Sequence, residues 1–520
     1  MAAMSFEPLT PVAFLRRSGS VHRDRLAVVD GALELTYAQL WDRARRMAAA
    51  LRGRGVRPGD RVAVLGSNSQ LLLTAHYGVP LAGAVLVALN TRLSVPELVH
   101  IVEHSGASVL LCDAQLTELG ESLEEVLGHL ELVGEHALEP ELRDGPFLEH
   151  AVADEAGLLA VNYTSGTTGR PKGVMYHHRG AYLQALAMAF HIGLRADSAF
   201  LWVVPMFHCN GWCLTWGVTA AGAVHVCQRT VDAGRIWESV RTRGVTHFAA
   251  APTVLTSLVH HPDAAVPAGG PIRVVTGGAP PSPTLLAQLQ ELGIEATHAY
   301  GLTETFGPVM LCDWHPEWDA LPAEDRARLA ARQGVGNVIA QPPRVIGADG
   351  ADVATDGVAM GELVVRGNDV MLGYYRDEAA TRAAQVDGWL RTGDLGVVHP
   401  DGYVELRDRG KDVIISGGEN ITSVEVEQAI ASHPAVLETA VIAAPDERWG
   451  ERPVAFVTLK AGAEADGPAI VAHVRGRLAS FKAPRDVVFV DELPKTSTGK
   501  VRKHALRDRL WEGRERRIGG

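Results

Sequence analysis

Lysine is scarce in this 520-residue chain: 7 of the 49 basic residues are Lys, at 172, 411, 460, 482, 495, 500 and 503, and the other 42 are Arg. An Arg default points to a GC-rich genome, and so to a bacterial source. Each Lys then marks a position that needs a compact, flexible ammonium in place of a planar guanidinium. Cysteine is sparse too. Cys112, Cys209, Cys213, Cys227 and Cys312 are odd in number and never spaced as CxxC, which excludes a disulfide framework or a zinc ribbon and points to a reducing cytoplasm. No apolar run reaches the length of a membrane span, and the start, MAAMSFEPLTPVAFLRRSGS, lacks the basic-then-apolar order of a signal peptide. A cytoplasmic protein is expected. Net charge is -12 with no Lys/Arg run, so a nucleic-acid partner is excluded, and any anion must be held by local donors or metal ions.

What is present reads as a large globular protein, 47% hydrophobic and 21% charged. Over the first 400 residues, apolar runs at 61–65 (RVAVL), 106–112, 199–204, 222–227 and 272–276 alternate with amphipathic stretches such as 71–83. That rhythm predicts α/β layering with buried strands. Near Gly393 short alternating strands and turn signals take over, and beyond them helices are predicted at 423–432 and 468–478, with strands at 438–443 and 454–459. The expected division is a large α/β domain, 1–408, and a small α+β domain, 409–520, whose tail 512–520 is expected to fray.

The densest chemistry is YTSGTTGRPKG at 163–173. Three Gly, four hydroxyls and a Lys in eleven residues suit a loop that wraps a polyphosphate: Gly admits backbone N–H groups to the anion, and Lys supplies a point charge. Gly169 and Lys172 stand three apart, so this is not a Walker loop. Apolar runs at 158–162 and 174–176 frame it as a strand-to-strand phosphate lid; a Ser/Gly linker is the blander reading of the same composition.

Together with YGLTE at 300–304, RTGD at 391–394, DRGKD at 408–412 and PKTSTGK at 494–500, this loop resembles the adenylate-forming (AMP-binding) superfamily over about residues 25–507. PMFHCNGW at 205–212 and SGGENITSVEVE at 416–427 are similar to its acyl-CoA synthetase branch. The resemblance implies a large multi-subdomain N-terminal domain and a small mobile C-terminal one. It also implies ATP, Mg2+ and coenzyme A as partners of a small carboxylic acid: the acid is first adenylated, then passed to a thiol. By the same resemblance Thr164, Ser165, Gly166, Thr167, Thr168, Gly169 and Lys172 hold the phosphates, and Thr164 and Glu304 hold magnesium. Gly278, Ala279, Ala299, Tyr300, Gly301 and Thr303 line the nucleotide. Asp394 clasps the ribose, Arg409 adds a second ribose or phosphate contact, and Lys411 is the hinge. Gly417 and Gly418 border the pantetheine entry. Lys500 is the catalytic Lys that bridges the carboxylate and the α-phosphate, and His208 orients the acid.

Pocket candidates are His208, Gly211, Trp212, Gly277, Gly278, Gly301 and Phe306. Mostly small or aromatic, they suit an apolar medium-chain, aryl or polycyclic acid. No Asp stands between Cys209 and Cys213 to meet an amino acid's ammonium. Three alternatives stay open: a carrier-protein acceptor, an enzyme of one half-reaction acting on a supplied adenylate, and a nucleotide-binding regulator. The pairs His177–His178 and His260–His261 have no partner spacing for a metal. The resemblance allows a homodimer, which no surface feature decides.

Overall fold

The computed structural model describes residues 6–164, 171–417, 419–496 and 499–511. Among the described residues there are four sheets, of nine, six, five and five strands. The first two build the large domain. Strands such as Val85–Ala88 (VLVA) and Val109–Cys112 (VLLC) are buried at every position, as parallel strands covered on both faces must be. The helix Gln70–Leu81 is buried on all sides, which its lack of a polar face requires. One continuous core joins residues of both sheets, from Val28 and Val64 to Trp216 and Leu311.

A charged clip ties the two sheets together. Arg229, just beyond the strand Val224–Val226, bonds Asp30 of the nine-stranded sheet at 2.7 Å and Asp113, at the end of a strand of the six-stranded sheet, at 2.6 Å. The Ser67 hydroxyl donates to Asp113 at 2.7 Å and the Gln70 N–H to Asp30 at 3.0 Å, so these buried carboxylates are well supplied with donors.

The third sheet ends with strand Val404–Arg409, and the fourth begins with Ile414–Ser416. The chain therefore changes sheets within residues 410–413. Arg409, on the small-domain side of the expected division, still pairs with Asp394 in the third sheet. The small domain packs Ser423–Ala431 and Gly467–Arg475 on a separate core around Ile414, Ile430 and Val457. No helix of the described residues is long and apolar enough to cross a membrane.

Candidate active site

Strand Leu158–Tyr163 runs antiparallel to Gly173–His177, with Tyr163 opposite Gly173, so the glycine-rich segment joins strand to strand as expected. The Thr164 N–H donates to the Lys172 carbonyl at 3.0 Å and closes the mouth of the loop. Ser165, Gly166, Thr167, Thr168 and Gly169 lie outside the described residues, as does Gly418. The returning strand is bonded in turn to the segment 372–375: Leu372 N–H to Met175 O at 3.0 Å and Tyr375 N–H to Gly173 O at 2.7 Å.

The YGLTE run forms the tip of a hairpin between Ile294–Leu302 and Gly307–Leu311. Gly301 is there for closure: a Cβ would stand 1.9 Å from the Gly307 carbonyl oxygen. The tight tip presents Glu304, whose Oε1 accepts a hydrogen bond from the Tyr374 hydroxyl at 2.7 Å. Lys172 Nζ lies 4.8 Å from the centroid of that same Tyr374 ring. Thr303 is held by its carbonyl, which accepts from the Tyr176 hydroxyl at 2.7 Å. Magnesium favours hard oxygen donors and keeps several sites for water and phosphate, so a Glu carboxylate and a Thr hydroxyl suit it without a fuller protein cage. Among the described residues no cluster of three or more His, Cys, Asp or Glu offers a different metal site.

Asp394, 5% exposed, receives the Tyr300 hydroxyl at 2.6 Å and Arg409 Nε at 3.2 Å. Burial, then the carboxylate beside it, pushes the Tyr300 phenol well above its ordinary value. Two donors fix this carboxylate, and its remaining lone pairs are free to accept from a diol. Ala299 is buried beneath Tyr300, whereas Gly278 is exposed at φ +85 with nothing within 4 Å of a would-be Cβ; Ala279 follows, half-buried. Around Tyr300 the Ala299 side is thus packed and the Gly278 side open.

Lys500 reaches this centre from the small domain. Its turn is closed by the Thr496 N–H on the Lys500 carbonyl at 2.7 Å and docked by the Thr253 hydroxyl on the Gly499 carbonyl at 3.3 Å. Burial first, then the charge of Arg409, lowers the Lys500 ammonium to about 8, with Asp394 and Asp412 opposing the shift. Burial and the Lys500 charge lower His208 to about 4, so its imidazole is neutral at pH 7 and serves as a hydrogen-bond partner. The ammonium is the form that stabilises negative charge, and it is lost as pH rises through about 8. We expect kcat/KM for acid-dependent pyrophosphate exchange to fall about tenfold per pH unit above that point. A flat profile to pH 10 would remove this ammonium from the adenylation step.

The segment after His208 is unusual: Cys209, Asn210, Gly211, Trp212 and Cys213 all have positive φ, between 49° and 59°. Each non-Gly residue there costs about 1 to 2 kcal/mol, so the surroundings must impose the turn. Asn68 contributes. Its amide bonds the Trp202 and Val204 carbonyls at 3.0 and 3.2 Å and the Met206 N–H at 2.8 Å, gripping the segment that leads from the strand Ala199–Leu201 into His208. Gly211 abuts Trp202, where a Cβ would come within 2.4 Å. The Trp212 indole covers Gly277 and its Cα backs onto Gly307, with would-be Cβ contacts of 3.4 and 3.1 Å. Gly277 is closed more tightly by the Ala299 carbonyl oxygen, 2.6 Å from where its Cβ would stand. Phe306, expected on the pocket wall, is fully enclosed and stacked on Tyr176 at 3.8 Å.

The structure thus brings Thr164 and His208 to one cavity, together with Phe207 and Pro171. Lys500 joins Asp394, Arg409 and Lys411, and Lys172 joins Glu304 through Tyr374. Gly417 packs on the Trp449 ring. His177 accepts the Gly180 N–H as a helix cap and His178 bonds Thr10, so both are structural. Tyr374 and Asn68 escaped the sequence reading; a Tyr pair following Gly373 was the visible signal for the first, and nothing marked the second.

Comparison with known proteins agrees along the whole length. The AMP-binding enzyme model matches residues 15–375, and the AMP-binding enzyme C-terminal domain model matches 425–500. The chain is 42% identical to the peroxisomal acetate/butyrate–CoA ligase AAE7 of Arabidopsis thaliana, covering 98% of this chain and 95% of that one. It is 40% identical to the acetate–CoA ligase CCL3 of Humulus lupulus, covering 98% and 96%. Both are plant proteins, which lends no support to the expected bacterial source. The anthranilate CoA ligase AuaEII, solved with anthranoyl-AMP, superposes with a TM-score of 0.87 at 26% identity, covering 97% of this chain and 98% of that one. The chain belongs to the AMP-binding enzyme family.

Proposed function

We propose that this protein is an acyl-CoA ligase for a short, apolar carboxylic acid. The observation that carries the class is Lys500, brought by the small domain beside Asp394 and His208. In the first step a carboxylate oxygen of the acid attacks the α-phosphorus of ATP and the bond to pyrophosphate breaks. Lys500 offsets the charge that two approaching anions develop, while Asp394 and Arg409 hold the ribose in line. Thr164 and Glu304 are the residues that would hold magnesium, whose role when bound is to neutralise the departing phosphates. In the second step the CoA sulfur attacks the acyl carbon, AMP leaves with the bonding pair, and the thiol proton is released.

Two further readings have support. The change of sheets at 410–413 suits a division near 408/409 with a hinge at Lys411, about which the small domain turns between steps. Five free thiols among the described residues suit a reducing compartment such as the cytoplasm, although the relative AAE7 is peroxisomal.

Acid size is read from Trp212, four residues after His208 and 7% exposed; its indole stands 3.4 Å from where a Gly277 Cβ would be. The test is pyrophosphate exchange with acetate, butyrate, octanoate and benzoate, alongside CoA transfer from synthetic acyl-AMP. Exchange without consumption of free CoA would indicate a carrier-protein acceptor, and transfer without exchange an enzyme of one half-reaction. Trp212→Ala is expected to raise kcat/KM for octanoate or benzoate about tenfold and to lower it for acetate. Wild-type protein that prefers octanoate would overturn the size assignment.

A further inference from the structure

Tyr374 belongs to none of the motifs that point to adenylation, yet it touches two of the groups they converge on. Its hydroxyl donates to Glu304 Oε1 at 2.7 Å, and the face of its ring carries Lys172 Nζ at 4.8 Å. The ring is not free to drift. The Tyr374 N–H donates to the Thr381 hydroxyl at 2.9 Å, and its backbone bridges Val174 on the strand that returns from the glycine-rich loop. Burial and the neighbouring Glu304 charge push the phenol well above its ordinary value, so it stays a donor.

The chemical consequence follows from the Glu304 carboxylate having two oxygens. With Oε1 taken by a fixed phenol, Oε2 is the oxygen left to face a cation, and the plane of the carboxylate is set before any ligand arrives. A Lys seated on an aromatic face likewise loses much of its wandering, so the ammonium beside the loop is held within reach of the same phosphates. We propose that Tyr374 is a positioning residue that presets Glu304 and Lys172 for a metal-bound nucleoside triphosphate. The proposal rests on the reading of Glu304 as the carboxylate that faces the metal.

Calorimetric titration of the full-length protein with ATP in the presence of Mg2+, and with AMP in its absence, separates the possibilities without reference to turnover. Tyr374→Phe keeps the ring under Lys172 and deletes the hydroxyl; the MgATP Kd is expected to rise about tenfold, as loss of a hydrogen bond to a charged group predicts, with the AMP Kd unchanged. Tyr374→Leu removes the ring as well and is expected to weaken MgATP further. The double variant E304Q/Y374F should bind MgATP no more weakly than E304Q, because the hydroxyl acts through that carboxylate. Unchanged MgATP affinity in Y374F overturns the proposal, and so does an equal loss of AMP affinity, which would mark a merely structural role. If E304Q binds MgATP as the unaltered protein does, the reading of Glu304 fails and this one with it.

Discussion

Lys500→Ala is expected to abolish formation of acyl-adenylate while sparing thioester formation from supplied acyl-AMP. The ammonium acts where two anions meet, and a charge about 4 Å away contributes roughly 4 kcal/mol at an effective dielectric near 20. Removing one donor aimed at developing charge typically costs about 10² to 10³ in rate. The structure adds reasons for a sharp effect. Gly499, at φ +82, lets the turn approach so closely that a Cβ would fall 2.6 Å from the Thr253 hydroxyl. Behind the turn, Lys503 bonds Glu427 at 2.7 Å and Arg507 bonds Asp412, so the following helix is anchored to the segment where the chain changes sheets. Lys503 is thus committed to Glu427 and is not free to take the place of Lys500. Measuring exchange and thioester formation side by side checks this, and equal loss of both would count against the role.

Arg229→Met is expected to destabilise the fold by about 3 to 5 kcal/mol, read from urea denaturation, because it strands buried carboxylates without their cation. Asp113 is fully buried and Asp30 nearly so, and Glu135 lies 3.8 Å from the same guanidinium. Adding Asp30→Asn and Asp113→Asn should recover much of the loss, since the uncompensated charge disappears with them. No recovery on adding the two Asn substitutions would mean that Arg229 acts by packing alone.

Where sequence expectation met structure, the strands came through well: Arg61–Leu65 and Ile272–Thr276 stand where 61–65 and 272–276 were expected, because continuous apolar runs bounded by turns have few other ways to bury themselves. The helix expected at 71–83 begins one residue earlier and ends at Leu81, with Pro80 near its end and Gly83 at φ +76 just beyond. The candidate site residues, spread over segments around 164, 304, 394 and 500, were named for a different reason: the order of their motifs resembles a known family.

Residue types and local order alone determined the layered α/β class and the strand-to-strand placement of the glycine-rich segment, whereas Lys500, Asp394 and Glu304 came from the order of motifs that resembles a known family. Tertiary structure alone decided what the glycines near His208 are for. Gly211 and Gly277 look like open space in the sequence, but the Trp202 ring abuts the first and the Ala299 carbonyl the second. It also decided the supports: Asn68 gripping the segment before His208, Arg229 joining two sheets across 116 residues, and Tyr374 bridging Lys172 to Glu304. Such contacts depend on where separate elements come to rest against one another, and no local periodicity or spacing encodes that.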